Sequence, residues 1–567
     1  MAIIGIDLGT TNSIVSVFKD GKSQLIPNQF NEVLTPSVVS IENGEIIVGK
    51  IAKERLITHH QNTVAAFKTF MGSDKVYSID GKKYTPTDLS SMIIKQLVED
   101  AKKYLQEDIE EAIISVPAYF NDAKRLATKQ AGALAGVKVE RIVNEPSAAA
   151  LASRIDSEEF ETLLIFDLGG GTLDVSIVDC FDNVVEIVAV SGDNHLGGED
   201  FNKVIEDYMI KEYHLNFVTS KDKKILLRNI EEMKKQLSEL DEVTREVTIN
   251  KQTIELYLSR DILLKISDKL LFKIKNVIKH ALNDAEMTVK DIDRIIMVGG
   301  SSRLKVVQEY LEYLFHKYPE VNDQVDYLVG LGCGYVAGIK SRDGDIKEKV
   351  LTDICPFSLG VNTFNHHGSK DIFSVIIERN ATLPCSQKQY YTTIQDYQPL
   401  IVFSIYQGEE IIAEHNQLLG RLEIKVPPNI AGQECVEVCF TYDINGILDV
   451  DIKAVSTEEK VHKIFTSQNC VLSDKQLEER IKELEKLKNK NIEDEELTYL
   501  YEKAYRIFEE SIGQRREMVQ QILYKLDDAK KSGKVGQMKK IKVIVENMLD
   551  NIDTQSPFDF EDNELLN

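Results

Sequence analysis

No run of about 18 apolar residues occurs in the chain, which excludes an ordinary membrane-spanning helix. No Cys-x-x-Cys pair occurs either: the 7 cysteines, an odd number, are scattered from Cys180 to Cys470. Cys435 and Cys439 are the closest two; on a strand they would share one face, as buried thiols rather than metal ligands. The His59-His60 and His366-His367 pairs lack companions at zinc-ligand spacing and read as loop residues. Cysteine used in this way fits a reducing cytoplasm, the expected location. The N-terminus, "MAIIGIDLG", enters a strand directly without a basic region or cleavage site, so no signal peptide is expected. Positive charge is short: 68 Lys and Arg stand against 92 Asp and Glu, for a net charge of −24. Such a surface repels nucleic acid and anionic lipid, and neither is expected as a partner.

What is present is enough for several cores. At about 150 residues per domain, a chain of 567 residues should hold three or four domains. Its 43% hydrophobic and 28% charged residues are ordinary for a folded soluble protein. The texture changes along the chain. Residues 1–345 alternate strands ("EEAIISVP", "TLLIFDLG", "RIIMVGG") with helical stretches, an α/β pattern. Residues 346–356 have linker composition with one apolar patch at Val350-Leu351. Residues 357–468 read as nearly pure strand, and Asn445-Gly446 between two alternating runs predicts a type I′ hairpin turn. Residues 473–553 are helical and charged, opening on a capping box of Ser473 and Gln476, with Leu477, Ile481, Leu484 and Leu487 following at roughly helical spacing. Residues 554–567 read as an acidic tail.

The first region writes one motif twice. "GIDLGTTNSIVSVF" and "FDLGGGTLDVSIV" each run strand, Asp-Leu-Gly, threonine-bearing turn, strand. A Gly-rich hairpin points several backbone N–H groups at one place, where an anion such as phosphate satisfies them. Thr10, Thr11 and Thr172 add hydroxyl donors, and Asp7 and Asp167 sit at strand ends where carboxylates can hold a hydrated Mg²⁺. One such hairpin could be a tight turn only; two matched ones, far apart in the chain, could clamp the phosphates of one nucleotide. The G-x-x-x-x-G-K-[ST] loop is absent, and both motifs lead into a strand where a dinucleotide fingerprint needs a helix. Gly299, Gly300 and Ser301 follow an apolar strand, with Arg303 on the next helix, and Glu231, Lys234 and Ser238 fall on one helical face. Taken singly, each of these two groups is more often a surface salt-bridge face than a site.

In order along the chain, "GIDLGTTNS", "VPAYFNDAKR", "NEPSAAALA", "FDLGGGTLDVS", "HLGGEDFN", "VGGSSR", "CPFSLGV", "YQGEE", "LLGRLEI" and "GILDVDIKA" resemble the heat shock protein 70 chaperone family of the DnaK type. The resemblance spans nearly the whole chain and fades only in the helical end. It implies a duplicated, ribonuclease-H-like, actin-like ATPase fold of two lobes, then a β-sandwich, then an α-helical lid. It also implies an ATP-dependent chaperone with ATP or ADP, Mg²⁺ and K⁺ as ligands. By resemblance, Gly9, Thr10, Thr11, Asn12, Gly169, Gly170, Gly171, Thr172, Gly197 and Gly198 are phosphate-side contacts, and Asp7 and Asp167 hold Mg²⁺ through water. Lys68, Glu145, Asp167 and Thr172 resemble the catalytic set, and Glu231, Lys234, Ser238, Gly299, Gly300, Ser301, Arg303 and Asp326 the adenosine pocket. Glu145 is expected at a helix start with Pro146 in the first helical position, where the helix dipole stabilises a carboxylate. Pro117, Arg125, Arg141 and Asp353 resemble residues that couple nucleotide state to the rest of the chain.

The strand region carries no Ser-His-Asp or paired-carboxylate pattern, so chemistry is not expected there. In the family this region grips an extended apolar segment of an unfolded client. The matching positions are Val361, Thr363, Phe364, Tyr391, Ile394, Ile401, Phe403 and Ile447, although alternation alone does not separate a pocket from sandwich core. Several departures point to a specialised bacterial branch of the HscC kind. Phe364 and Ile394 are bulky, "EKVLTDI" replaces the usual linker, and the stretch from Met71 to Ser90 and the helical end are short. A J-domain co-chaperone is the implied partner, and the standard exchange factor is not assumed to bind. Two other readings stay open: an ATP-binding holdase or regulatory adaptor with weak coupling, and an actin-like kinase or filament protein.

Overall fold

The computed structural model describes residues 2–554 apart from 155–158, 217–219, 251, 322–324, 345, 347–348, 365–370, 466–471, 473, 491, 493, 512 and 533–534. Ser473, His366, His367, Cys470 and nearly all of the expected acidic tail therefore lie outside the described residues.

Two α/β lobes repeat one plan. In the first lobe the sheet order is Ile142–Asn144, Ile109–Val116, Ala2–Asp7, Asn12–Lys19, Lys22–Leu25. In the second it is Arg294–Val298, Glu161–Leu168, Leu173–Phe181, Val184–Asp193, Val350–Thr352. In each, the motif-bearing strand pairs in parallel on one side and antiparallel with its own hairpin mate on the other. The hairpins close in the same way, with Asp7 opposite Ile14 and Asp167 opposite Asp174. Strands such as "LLIF" and "AIIS" are buried on both faces, as a helix-covered parallel sheet requires. Helix Leu328–Lys340 is glycine-rich because it packs backbone-close; a Cβ on Gly332 would lie 2.0 Å from the carbonyl oxygen of Ala148.

The apolar patch in the linker has a structural use. Val350–Thr352 adds a parallel edge strand to the second lobe, opposite Val184, Val185 and Glu186. Beyond it, two four-stranded sheets close around one apolar core that includes Val361, Ile405, Val438 and Val450. The expected type I′ turn is not formed. Strands Cys435–Tyr442 and Leu448–Ala454 are joined by the wider loop 443–447, in which Gly446 has φ 74° and Asp443 accepts from the backbone N–H of Asn445 and Ile447. A type I′ turn needs positive φ at both central residues, and Asn445 does not supply it.

The helical end folds back onto the first lobe. Helix Asp474–Leu484 is anchored by Arg480, which donates to both oxygens of Asp88 at 2.9 and 2.7 Å. The helix stops at Leu484, one turn earlier than the apolar spacing predicts, and Leu487 is buried against the first-lobe core beside the short strand Lys488–Asn489. Helices Glu495–Glu510, Gly513–Ser532 and Val535–Thr554 then form a bundle. No described helix is long and apolar enough to cross a membrane.

Candidate functional site

The two hairpins meet across a cleft of about 580 Å³ between the lobes. Of the residues singled out in the α/β region, Asp7, Gly9, Thr10, Thr11, Asn12, Lys68, Pro117, Glu145, Asp167, Gly169, Gly170, Thr172 and Gly198 all line it. So do Glu231, Lys234, Ser238, Gly299, Gly300, Ser301, Arg303 and Asp326. Gly171 and Gly197 do not; they let two backbone segments touch, and a Cβ on Gly197 would lie 2.5 Å from Gly171 Cα. Gly299 serves the cleft directly: its φ is 79°, and a Cβ there would lie 2.6 Å from Asp167 Oδ1. Any other side chain at this position would be strained and would crowd the carboxylate.

Local details differ from the sequence expectation in three places. Glu145 is the first residue of helix Glu145–Ser153 and Asn144 its N-cap, so Pro146 stands second rather than first. Arg303 lies in the 3₁₀ turn Gly300–Arg303, ahead of helix Lys305–Phe315, and donates to Asp326 Oδ2 at 3.0 and 2.7 Å. Ser238 follows the end of helix Ser220–Gln236 and reaches the cleft from a turn instead of sharing the helical face.

The electrostatics of the cleft floor are lopsided. Lys68 donates to Glu145 Oε1 at 2.8 Å and is almost fully buried. Burial opposes its charge, yet Glu145 and Asp7 hold the ammonium above its ordinary pKa. Around this cation stand Asp7, Glu145, Asp167 and Asp174. Burial first, then Glu145, pushes the carboxyls of Asp7 and Asp174 up to about 7, and Asp167 well above its usual range. Ser115 donates to Asp7 and the Tyr119 N–H to Asp174, at 2.8 and 3.1 Å, without removing the excess of negative charge. A hard divalent cation with oxygen ligands fits that deficit. On the opposite wall burial depresses Lys234 to about 8, against the pull of Glu231, and its Nζ donates to the Gly198 carbonyl at 2.8 Å.

The family model described as Hsp70 protein matches residues 3–79 and 75–561, nearly the whole chain. The chain belongs to the Hsp70 family. Hsp70 proteins are ATP-dependent chaperones with ATPase activity, and they bind ATP or ADP with Mg²⁺. They generally act on unfolded clients together with J-domain co-chaperones.

The coupling candidates lie between the cleft and the β region. Arg125, buried, donates to the carbonyls of Phe120 and Ala118 and to Asn144 Oδ1 at 2.9, 3.1 and 2.7 Å, so it ties the segment after Pro117 to the residue before Glu145. Its side chain also packs against Gly446, where a Cβ would lie 2.8 Å from Arg125 Cδ. Asp353 accepts from Ser147, on the same helix as Glu145. Arg141 Nε is buried with no hydrogen-bond partner, so Arg141 and Asp353 are not joined as a pair among the described contacts.

Sequence reasoning missed the contacts that hold this junction. Asp122 Oδ1 accepts from Tyr442 Oη at 2.5 Å and from Gln407 Nε2 at 3.0 Å. Asn121 donates to Gln417 at 2.7 Å, and Arg379 to Asp284 at 2.6 Å. The motif "VPAYFNDAKR" contains Asp122, but its only visible local role was in a helix start. Lys53 in the cleft wall stands in no quoted motif, and Asn202 ends "HLGGEDFN" without having been singled out.

The client-side candidates do not share one surface. Val361, Ile401 and Phe403 are core residues, at 0%, 8% and 3% exposure. Tyr391 packs edge-on to Phe403 at 5.4 Å between ring centroids and shares a 3.0 Å hydrogen bond with Ser374. Thr363 donates to the Ile372 carbonyl, Phe364 and Ile394 are about half exposed, and Ile447 belongs to the loop that faces the first lobe.

Proposed function

We propose that this chain is an ATP hydrolase whose nucleotide state controls capture and release of extended apolar segments of client proteins. The observation that carries this reading is the continuous path from cleft to β region: Pro117 and Glu145 in the cleft wall, Arg125 between them, and Asp122, Tyr442 and Gln407 beyond. In this reading the Gly9–Asn12 and Gly169–Thr172 turns cradle the phosphates, and Glu231, Lys234, Ser238, Gly299, Gly300, Ser301, Arg303 and Asp326 hold the nucleoside side. Asp7 and Asp167 would hold Mg²⁺ through water, and the ion would neutralise phosphate oxygens. Lys68 lends positive charge where charge develops on the transferred phosphoryl group. Glu145 fixes the Lys68 ammonium, and Thr172 positions the attacking water. The reaction is ATP plus water to ADP plus phosphate.

The docked arrangement, with Asp122 bonded to the β region, is one of two states in this proposal, and ATP favours it. A client that binds the undocked state better must then weaken ATP binding by the same factor that ATP weakens client binding. Phe364 and Ile394 are the exposed apolar residues offered to the client. The bulk of these two residues, the linker "EKVLTDI" and the short helical end support a specialised bacterial, HscC-like chaperone of the cytoplasm and the stress response. A J-domain co-chaperone is the expected partner. Nucleic acid, membrane and the standard exchange factor are not.

The test is the release rate of a fluorescent extended apolar peptide before and after MgATP. Marked acceleration, lost in Thr172→Ala and Glu145→Ala, supports the coupled cycle. Tight peptide binding indifferent to ATP overturns coupling in favour of a passive holdase.

A further inference from the structure

The terminal helices contact both lobes, and they do so in two different ways. Toward the first lobe the contact has an apolar core, with ion pairs such as Arg55–Glu502 around it: Leu497, Leu500, Ala504 and Ile507 share one core with Ile51 and Ala52 of helix Lys50–Thr58. Toward the second lobe the contact is ionic. Arg506, 3% exposed, donates to Glu54 of the first lobe at 2.5 Å, to Asp553 at 2.6 Å and to Glu510 at 3.0 Å. The same two carboxylates accept from Arg228 of helix Ser220–Gln236 in the second lobe, Glu510 at 2.5 Å and Asp553 at 2.8 Å. Arg245, from strand Glu242–Ile249, adds a 2.7 Å bond to the Asp553 backbone carbonyl.

This network runs from one lobe to the other through the helical end, and it does so at the cleft. Helix Lys50–Thr58 supplies Lys53 to the cleft wall, and helix Ser220–Gln236 supplies Glu231 and Lys234 from the opposite side. The two elements tied together are therefore the two sides of the cleft mouth. We infer that the C-terminal helices form a strap, built into the chain, that holds the two lobes together and slows the escape of bound nucleotide. This inference rests on the reading of the cleft as a nucleotide site.

The seam that opens is the ionic one. Burial would push the Asp553 carboxyl up, but Arg506 and Arg228 hold it well below the usual carboxylate range, so the pairing is tight. It is also incompletely satisfied. Ser511 Oγ, Glu510 Oε1 and Arg515 Nε are buried there without hydrogen-bond partners, beside a cavity of about 230 Å³. Buried ion pairs with unmet bonds gain little over their hydrated, separated state, whereas the apolar seam has no such alternative. The helices should thus stay on the first lobe and release the second.

The experiment follows release of a fluorescent, non-hydrolysable ATP analogue from the full-length protein, chased with excess unlabelled ATP. Arg228→Glu sets a carboxylate against Glu510 and Asp553 and should accelerate release at least about fivefold. Glu54→Gln, milder and on the other lobe, should act in the same direction. Raising salt should accelerate release from the unaltered protein and have little effect on Arg228→Glu. Arg480→Ala loosens the helical end from Asp88 without touching the strap and should leave the rate unchanged. Unaltered release in both Arg228→Glu and Glu54→Gln, with normal nucleotide stoichiometry and thermal unfolding, overturns the strap alone. Failure of the unaltered protein to bind nucleotide overturns the proposed function and the strap with it.

Discussion

The cleft and the junction with the β region deal with buried charge in opposite ways. On the cleft floor Asp7, Glu145, Asp167 and Asp174 crowd Lys68, with Lys124 beside Asp174 alone. At the junction one carboxylate, Asp122, is met by a tyrosine hydroxyl and a glutamine amide, with Arg125 behind it. The first arrangement calls for a cation; the second supplies Asp122 Oδ1 with its two donors when two parts of the chain come together, and leaves Oδ2 buried without one. A site built on a charge deficit selects a ligand, whereas one built on neutral donors reports a distance.

The largest effect expected is in the cleft. Lys68→Ala or Thr172→Ala should lower the ATP hydrolysis rate by about 100-fold or more, the range for losing a positioned charge or donor at a reacting group. Tyr442→Phe and Gln407→Ala should leave hydrolysis without peptide within about twofold but blunt the acceleration of peptide release by ATP. Each leaves a buried bond unmade at Asp122, a cost of about 1–3 kcal/mol, or roughly tenfold in coupling. Equal loss of both activities in these variants would erase the contrast between the two sites.

A third test uses protons. Burial raises the Asp122 carboxyl to about 6; Tyr442, Gln407 and Arg125 oppose the shift, and Asp443 adds to it. Protonation therefore favours the docked form, whose extra stability is complete below the ordinary carboxylate pKa and is lost as pH rises through about 6. Energy transfer between a dye on the first lobe and one on the β region should fall from pH 5 to pH 7, and Asp122→Asn should flatten the profile. The smallest effect should come from Phe364→Ala, a half-exposed side chain, which should weaken peptide binding by about 1 kcal/mol and leave hydrolysis unchanged.

The same contrast governs what a reader of the sequence could see. Asp7, Gly9, Thr10, Asp167, Gly169 and Thr172 stand in short contiguous motifs, because a phosphate-sized cradle is made by consecutive backbone N–H groups. The junction is made by side chains hundreds of residues apart, such as Asp122 with Tyr442; Asp122 stands in a motif, but nothing beside it names a partner 320 residues further on. Val361 and Phe403 could not be told from core because alternation is the same for both, and packing puts them inside. The strap was illegible for another reason: Arg228, Arg506 and Asp553 read as ordinary charges on solvated helices. Only their meeting point, and not their spacing, sets them apart.

The edge strand Val350–Thr352 has a mechanical side. Three residues of parallel pairing make a fastener weak enough to open under a modest pull, since each backbone hydrogen bond contributes only about 0.5–1.5 kcal/mol net. Were it to peel away, Val184, Val185 and Glu186 would lose their partner and leave a short raw sheet edge, able to template a free strand of similar length. In the proposed cycle, an undocking that peels the strand would uncover a briefly adhesive rim on the second lobe. The speed with which Val350–Thr352 re-paired would then set how long that rim stayed open to strangers.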